Sequence, residues 1–108
     1  VTYICDYPVY SSQEDLKEDN NFGFKLSVDV ITSKAFLIGN QGLSEVAVSK
    51  HDYGLHFIET TPSGNVMTTV IVNETLESVY SRHPIHHSAL PDDKVIAALY
   101  YGKCRLEE

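Results

Sequence analysis

Residues 53–81 decide the fold, and they read YGLHFIET (53–60), TPSG (61–64), NVMTTVIV (65–72), NE (73–74) and TLESVYS (75–81). The three longer runs are rich in β-branched and aromatic residues and are too short to be typical helices. Between the first two runs, Pro62 presets φ and Gly64 supplies a positive φ where the chain reverses. The stretch therefore predicts an antiparallel meander of three strands.

Upstream, residues 23–31 alternate between apolar and polar side chains, which is typical of a strand with one buried face. The apolar face would hold Phe24, Leu26, Val28 and Val30, and the polar face Lys25, Ser27 and Asp29. Thr32-Ser33 has the length of a tight hairpin loop, and residues 34–38 form the returning strand. Gly39-Asn40-Gln41-Gly42 supplies the next reversal before a strand at 43–49.

The two ends of the chain also have strand character. Residues 2–10 start as a strand that Pro8 interrupts, because proline cannot donate to a strand ladder. The acidic segment 11–21 is predicted to be an exposed loop, with one helical turn after Ser12 as the alternative. Near the C-terminus we predict a strand at 99–104, while a short helix over 92–100 competes for the residues before it.

About eight strands with short connections in a chain of 108 residues indicate an all-β domain. Consecutive hairpins favour up-and-down order, either as a small barrel or as a sandwich. The length supports a single domain over residues 1–108.

Composition excludes some classes of partner. The chain has 8 basic and 15 acidic residues, a formal net charge of −7. A nucleic-acid partner is not expected, because phosphate binding needs clustered Lys and Arg. The charge instead favours a basic protein partner, or it only keeps the protein soluble. No apolar run approaches the about 18 residues that a membrane-spanning helix needs.

Cys5 and Cys104 lie near opposite ends of the sequence, each in a predicted strand. If the first and last strands are neighbours, as barrel closure requires, the two cysteines can form a disulfide. Such a bond indicates the periplasm or the extracellular space. The alternative is two buried, unpaired cysteines in a cytosolic domain.

Three of the five histidines, His83, His86 and His87, form the best candidate for a metal site. Such a site would need a further ligand, for example Asp92, Asp93 or His51. The alternative is that these histidines are simply solvated.

The residue types for catalysis are present without a recognisable pattern. Ser81-Arg82-His83 contains a serine and a histidine, but no nucleophile-elbow motif surrounds any serine. Glu59 lies in an apolar run, but His56 and Glu59 fall on opposite faces of a regular strand, and the simplest expectation places both on the solvent side. We expect neither an enzyme nor a cofactor.

Seven tyrosines occur in a chain without tryptophan. Tyrosine is common in contact surfaces, where its ring buries area and its hydroxyl stays polar. It is equally ordinary in the wall of a barrel.

The opening Tyr3-Ile4-Cys5-Asp6 and the closing Tyr101-Gly102-Lys103-Cys104, around a meander of short strands, resemble the membrane-bound or periplasmic inhibitors of c-type lysozyme. The resemblance implies an eight-stranded barrel and an inhibitory loop that contains Ser-Gly, which Ser63-Gly64 matches. The chain departs from that family just after this loop, where Asn65-Val66-Met67 replaces aromatic and charged residues. Another secreted family of similar shape would fit the same outline.

These observations together predict a secreted or periplasmic binding module that engages a protein through loops at one end of the barrel. The predicted binding residues are Ser63, Gly64, Asn65, Tyr80, Arg82 and His83. The alternative function is a metal- or small-ligand-binding barrel that uses the histidines of 83–87.

Overall fold

The computed structural model describes residues 1–12, 16–17, 22–39, 42–62, 64–83 and 97–107. This part of the chain forms nine strands and contains no helix. The strands are β1 (Thr2–Ser12), β2 (Leu16–Lys17), β3 (Phe22–Asp29), β4 (Lys34–Gly39), β5 (Gly42–His51), β6 (Gly54–Thr60), β7 (Val66–Val72), β8 (Glu77–His83) and β9 (Ala98–Leu106).

Each strand from β3 to β8 pairs antiparallel with the next, and β1 pairs with both β3 and β9. The sheet therefore closes into an eight-stranded up-and-down barrel, which settles the choice between barrel and sandwich. The short β2 pairs with the second half of β1, where Tyr10 lies opposite Lys17. Because the barrel is closed, β1 and β9 pair with each other and neither is left as a free edge.

The disulfide predicted between Cys5 and Cys104 is present, with an S–S distance of 2.04 Å. The two cysteines are directly opposite each other in the β1–β9 pairing, and both are buried. The chain ends meet at one end of this seam. There the amide of Val28 donates to the carbonyl of Val1, and the amide of Glu107 donates to the carbonyl of Thr2.

The prediction that Pro8 interrupts the first strand is wrong. The strand runs on to Ser12, and the missing donor is accommodated by a β-bulge. Asp6 lies opposite Lys103 and Val9 opposite Tyr101, so β1 advances three residues while β9 advances two. As a result Tyr7 and Tyr10, three residues apart, both point into the barrel, whereas a regular strand would place them on opposite faces.

The predicted two-residue hairpin at Thr32-Ser33 is also wrong, because four residues connect β3 and β4. Asp29 pairs with Lys34, and the Asp29 carboxylate accepts hydrogen bonds from the amides of Ile31 and Thr32. The turn ends at Ser33, which adopts a φ of 60°. Val30 therefore lies in the turn, 74% exposed, and not on the inner face.

The predicted strand at 99–104 is confirmed within β9, and the competing helix is wrong for residues 98–100. Ala98 to Tyr100 pair with both β8 and β1, so their backbone groups are engaged on two sides. Residues 92–96 lie outside the described part of the chain, as do most of the acidic segment 11–21 and the turn residues Asn40 and Gln41.

The interior is filled by apolar and aromatic side chains from alternate positions of every long strand. Tyr7, Leu26, Phe57 and Ile71 are almost completely buried. The Tyr7 hydroxyl shares a hydrogen bond of 2.7 Å with the Ser78 hydroxyl, which satisfies two polar groups inside the barrel. Six rings form one cluster, with contacting centroids 4.8 to 6.1 Å apart: Tyr7, Tyr10, Phe22, Phe24, Tyr80 and Tyr100.

Candidate functional site

The candidate site lies at the end of the barrel where β4, β6 and β8 end and β3, β5, β7 and β9 begin. We call this end the mouth. Up-and-down order brings the β6–β7 loop, the end of β8 and the start of β3 together there, although they are far apart in sequence. Most of the predicted binding residues fall at this end.

The β6–β7 loop is a compact turn closed by the pairing of Thr60 with Val66. Gly64 has a φ of 97°, which favours glycine, and its amide donates to the carbonyl of Thr61. The amide of Asn65 donates to the Thr61 hydroxyl, and the amide of Thr61 donates to the carbonyl of Asn65. The turn predicted from Pro62 and Gly64 is thus confirmed, and Ser63 lies outside the described residues.

This loop lies beside the end of β8, because Val66 is directly opposite His83. The three predicted residues of β8 do not share one surface. Tyr80 and Arg82 point into the barrel, Tyr80 almost buried at 7% exposure and Arg82 half-buried, while His83 is exposed on the outer face. A partner at the mouth would reach His83 from outside and Arg82 and Tyr80 only through the opening.

A cavity of about 430 Å³ opens at the mouth. Aromatic rings of Phe22, Phe24 and Tyr80 form part of its wall. Leu43, which is 63% exposed, lies at its rim, so the cavity communicates with solvent. Among the described lining residues, Glu59 contributes a carboxylate, and its side chain is half-buried.

The expectation that Glu59 lies on the solvent side is wrong. Glu59 is two residues after the buried Phe57 and shares its inward orientation, while His56 lies on the other face, as predicted. The sequence does contain a signal for Glu59. In a regular strand, residues 57 and 59 share one face, so a prediction that Phe57 is buried also predicts that Glu59 points inward. Sequence reasoning also missed Phe22 and Leu43, since neither stands out by residue type.

Two charged groups act on Tyr80 from the mouth. Burial raises the pKa of Tyr80 to about 12, the Arg82 guanidinium acts to lower it, and the Glu59 carboxylate acts to raise it. Glu59 is opposite Met67 and Met67 is opposite Arg82, so the acid and the base lie two strands apart, about 10 Å at the backbone. The ion pairs among the described residues are Lys25–Glu107 and Lys34–Glu45, and neither Glu59 nor Arg82 takes part in one.

Of the three histidines predicted as metal ligands, only His83 lies among the described residues. Its Nε2 lies 3.1 Å from the Ser81 hydroxyl, which in turn contacts the Thr68 hydroxyl. His86 and His87 lie outside the described residues, and the described ones contain no group of three metal-ligating side chains. The metal site therefore stays a prediction, which elemental analysis of the purified protein tests.

Ser81 and His83, the residue types of a nucleophile and its base, lie in hydrogen-bond contact. Ser81 is buried at 8% exposure, and its hydroxyl is shared with Thr68. Within the described part of the chain, no carboxylate is hydrogen-bonded to His83, so the acid that would orient the imidazole is not among these residues.

Comparisons with protein-family models, curated proteins and solved structures gave no match for this chain. Among the described residues, no helix has the length and apolar character needed to cross a lipid bilayer.

Proposed function

We propose that this protein is a non-enzymatic binding module that engages a basic protein partner through the mouth of the barrel. The observation that carries the proposal is the coincidence of three features at one end: the turn with Gly64 and Asn65, the end of β8 with Arg82 and His83, and a solvent-accessible cavity. Loops and cavities positioned on a rigid barrel are common recognition sites.

The net charge of −7 supports a basic partner, because an acidic surface attracts cationic proteins and accelerates their encounter. The disulfide is compatible with a secreted or periplasmic location, where such bonds persist. Resemblance to the inhibitors of c-type lysozyme makes a c-type lysozyme, itself a basic secreted enzyme, the first partner to test.

The experiment measures binding of a c-type lysozyme, and of an unrelated basic protein of similar net charge, to the immobilised barrel by surface plasmon resonance. Inhibition of lysozyme activity is measured in parallel. We expect saturable binding that weakens as salt is raised, because the charges of exposed surfaces are screened. Absence of binding to every basic protein tested, or binding that ignores salt, contradicts the proposal.

A pair of matched variants locates the contact. His83→Lys adds a positive charge at the mouth, and we expect it to weaken binding about tenfold through repulsion of a basic partner. Tyr53→Lys adds the same charge at the opposite end, where Tyr53 is 85% exposed in the β5–β6 turn, and should leave affinity nearly unchanged. Equal effects of the two variants would place the contact elsewhere.

A further inference from the structure

Among the described residues, the mouth cavity combines aromatic walls with one carboxylate, and this combination has a defined chemical preference. Phe22, Phe24 and Tyr80 line the cavity, and the faces of aromatic rings carry negative electrostatic potential that attracts cations within about 6 Å. Glu59 adds a full negative charge at the same cavity. A volume of about 430 Å³ lies within the range of small-ligand sites, which is about 300–1,000 Å³.

Glu59 lines the cavity without an ion-pair partner among the described residues. It is half-buried, and neither of the ion pairs among the described residues includes it. A carboxylate in reduced contact with water gains most from a cation that is itself partly desolvated. Arg82, the nearest described cation by register, lies two strands away on the far side of Met67.

We infer that the mouth cavity binds an organic cation, the alkylammonium or guanidinium group of a Lys or Arg side chain. Glu59 is its counter-ion, and the rings of Phe22, Phe24 and Tyr80 hold its hydrocarbon stem. The inference deepens the proposed function and rests on it for the source of the cation, which is a side chain of the basic partner. The site itself is tested without a partner.

Removal of the Arg82 charge distinguishes a cationic ligand from a zwitterionic one by the direction in which the affinity changes. The Arg82 guanidinium points into the same end of the barrel and affects Tyr80 together with Glu59, so it repels a cation in the cavity. Removal of the Arg82 charge should therefore tighten cation binding. For a zwitterionic ligand the same change would remove a favourable contact and weaken binding.

The experiment titrates the isotope-labelled protein with n-butylammonium, methylguanidinium and neutral n-butanol, with NMR chemical shifts as the readout. We expect saturable shifts for the two cations at Phe22, Phe24, Glu59 and Tyr80, and much weaker ones for n-butanol. Glu59→Gln should weaken cation binding about tenfold, as expected for loss of a charge-assisted contact. Arg82→Gln should strengthen it a few-fold.

Glu45→Gln is the matched control. It removes one carboxylate from the outer face of β5, where Glu45 pairs with Lys34 and both side chains are more than half exposed. This change should leave cation binding unaltered, and thermal unfolding of each variant verifies that it is folded. Equal binding of n-butanol, an unchanged affinity in Glu59→Gln, or weaker binding in Arg82→Gln would overturn the inference.

The same variants separate this inference from the proposed function. Cation binding in a protein that captures no basic partner supports the cavity and refutes the protein-binding role. Partner binding that is lost in Glu59→Gln identifies the partner's own side chain as the cation. If partner binding survives Glu59→Gln, the binding module stands and the insertion of a side chain is refuted.

Discussion

At the scale of single residues, the mouth of the barrel depends on tyrosines that are kept out of water. Tyr80 belongs to the aromatic cluster and also lines the cavity. Tyr7 is completely buried, and burial raises its pKa even further above the ordinary value. Both phenols therefore ionise at a higher pH in the folded barrel than in the unfolded chain.

This difference predicts a loss of stability in alkali. Below pH 10 the tyrosines are protonated in both states, but above pH 10 the unfolded Tyr80 loses its proton while the folded one keeps it up to about pH 12. The unfolded state is then favoured, and the free energy of unfolding falls through this window by up to about 1.4 kcal/mol per pH unit for each buried tyrosine.

Urea unfolding at a series of pH values measures this slope. Tyr80→Phe removes one of the two buried tyrosines whose pKa is raised, and it should flatten the profile between pH 10 and 12. Tyr53→Phe, at an exposed position, is the control and should leave the slope as it is. A slope unaffected by Tyr80→Phe would show that Tyr80 does not contribute to the pH dependence.

At the scale of elements, the seam between β1 and β9 is the critical contact, because it closes the barrel. The bulge at Pro8 brings the β1 backbone very close to Gly102. A Cβ placed at Gly102 would overlap the Asp6 carbonyl oxygen, a clash with backbone that no rotamer change relieves. Glycine at 102 is therefore a condition for this seam to form with its bulge.

Gly102→Ala should destabilise the protein by about 2–3 kcal/mol, the upper part of the usual range for overpacking. Gly39→Ala is the matched control at the end of β4, where the nearest atom to an added Cβ is Leu37 Cδ2 at an ordinary 3.7 Å. We expect a change within about 0.5 kcal/mol there. Urea midpoints of the two variants and the wild type provide the comparison, and similar midpoints for both would contradict the role of the close approach.

The strands themselves follow from local sequence, but their irregularities do not. Alternation of Phe24, Leu26 and Val28 predicts β3 and its buried face, because every second side chain of a strand points to the same face. The bulge at Pro8 depends on how β1 and β9 fit around a closed barrel, which is a long-range property. The β3–β4 loop depends on whether the Asp29 side chain caps the turn, and Asp29 looks like an ordinary outward residue of the alternating strand.

In the candidate site, too, some features follow from local sequence and others depend on long-range packing. The turn at 61–65 is predictable from Pro62 and Gly64, because its chemistry is local. Glu59 becomes a cavity residue only when the ends of β3, β4, β5 and β8 assemble around it. No single segment contains that information.

At the scale of the whole molecule, the disulfide joins positions 99 residues apart in sequence. The double variant Cys5→Ser/Cys104→Ser should lose about 4–5 kcal/mol of stability, because the unfolded chain regains the freedom that a loop of this length removes. Since β1 and β9 also pair through their backbones, we expect the barrel to persist with native far-UV circular dichroism and a lower urea midpoint. An unchanged midpoint, or a thiol assay that finds free cysteines in the native protein, would contradict this prediction.

The hydrogen bonds of Val1 and Glu107 place both ends of the described chain at the end of the barrel opposite the mouth. A linker or affinity tag attached at either end therefore leaves the mouth pointing away from a support. Immobilisation through a terminal tag presents the cavity and its loops to solution, whereas random coupling through lysines orients the barrel in many directions. The position of the chain ends at the seam therefore makes a terminal tag the better attachment point for the binding experiments.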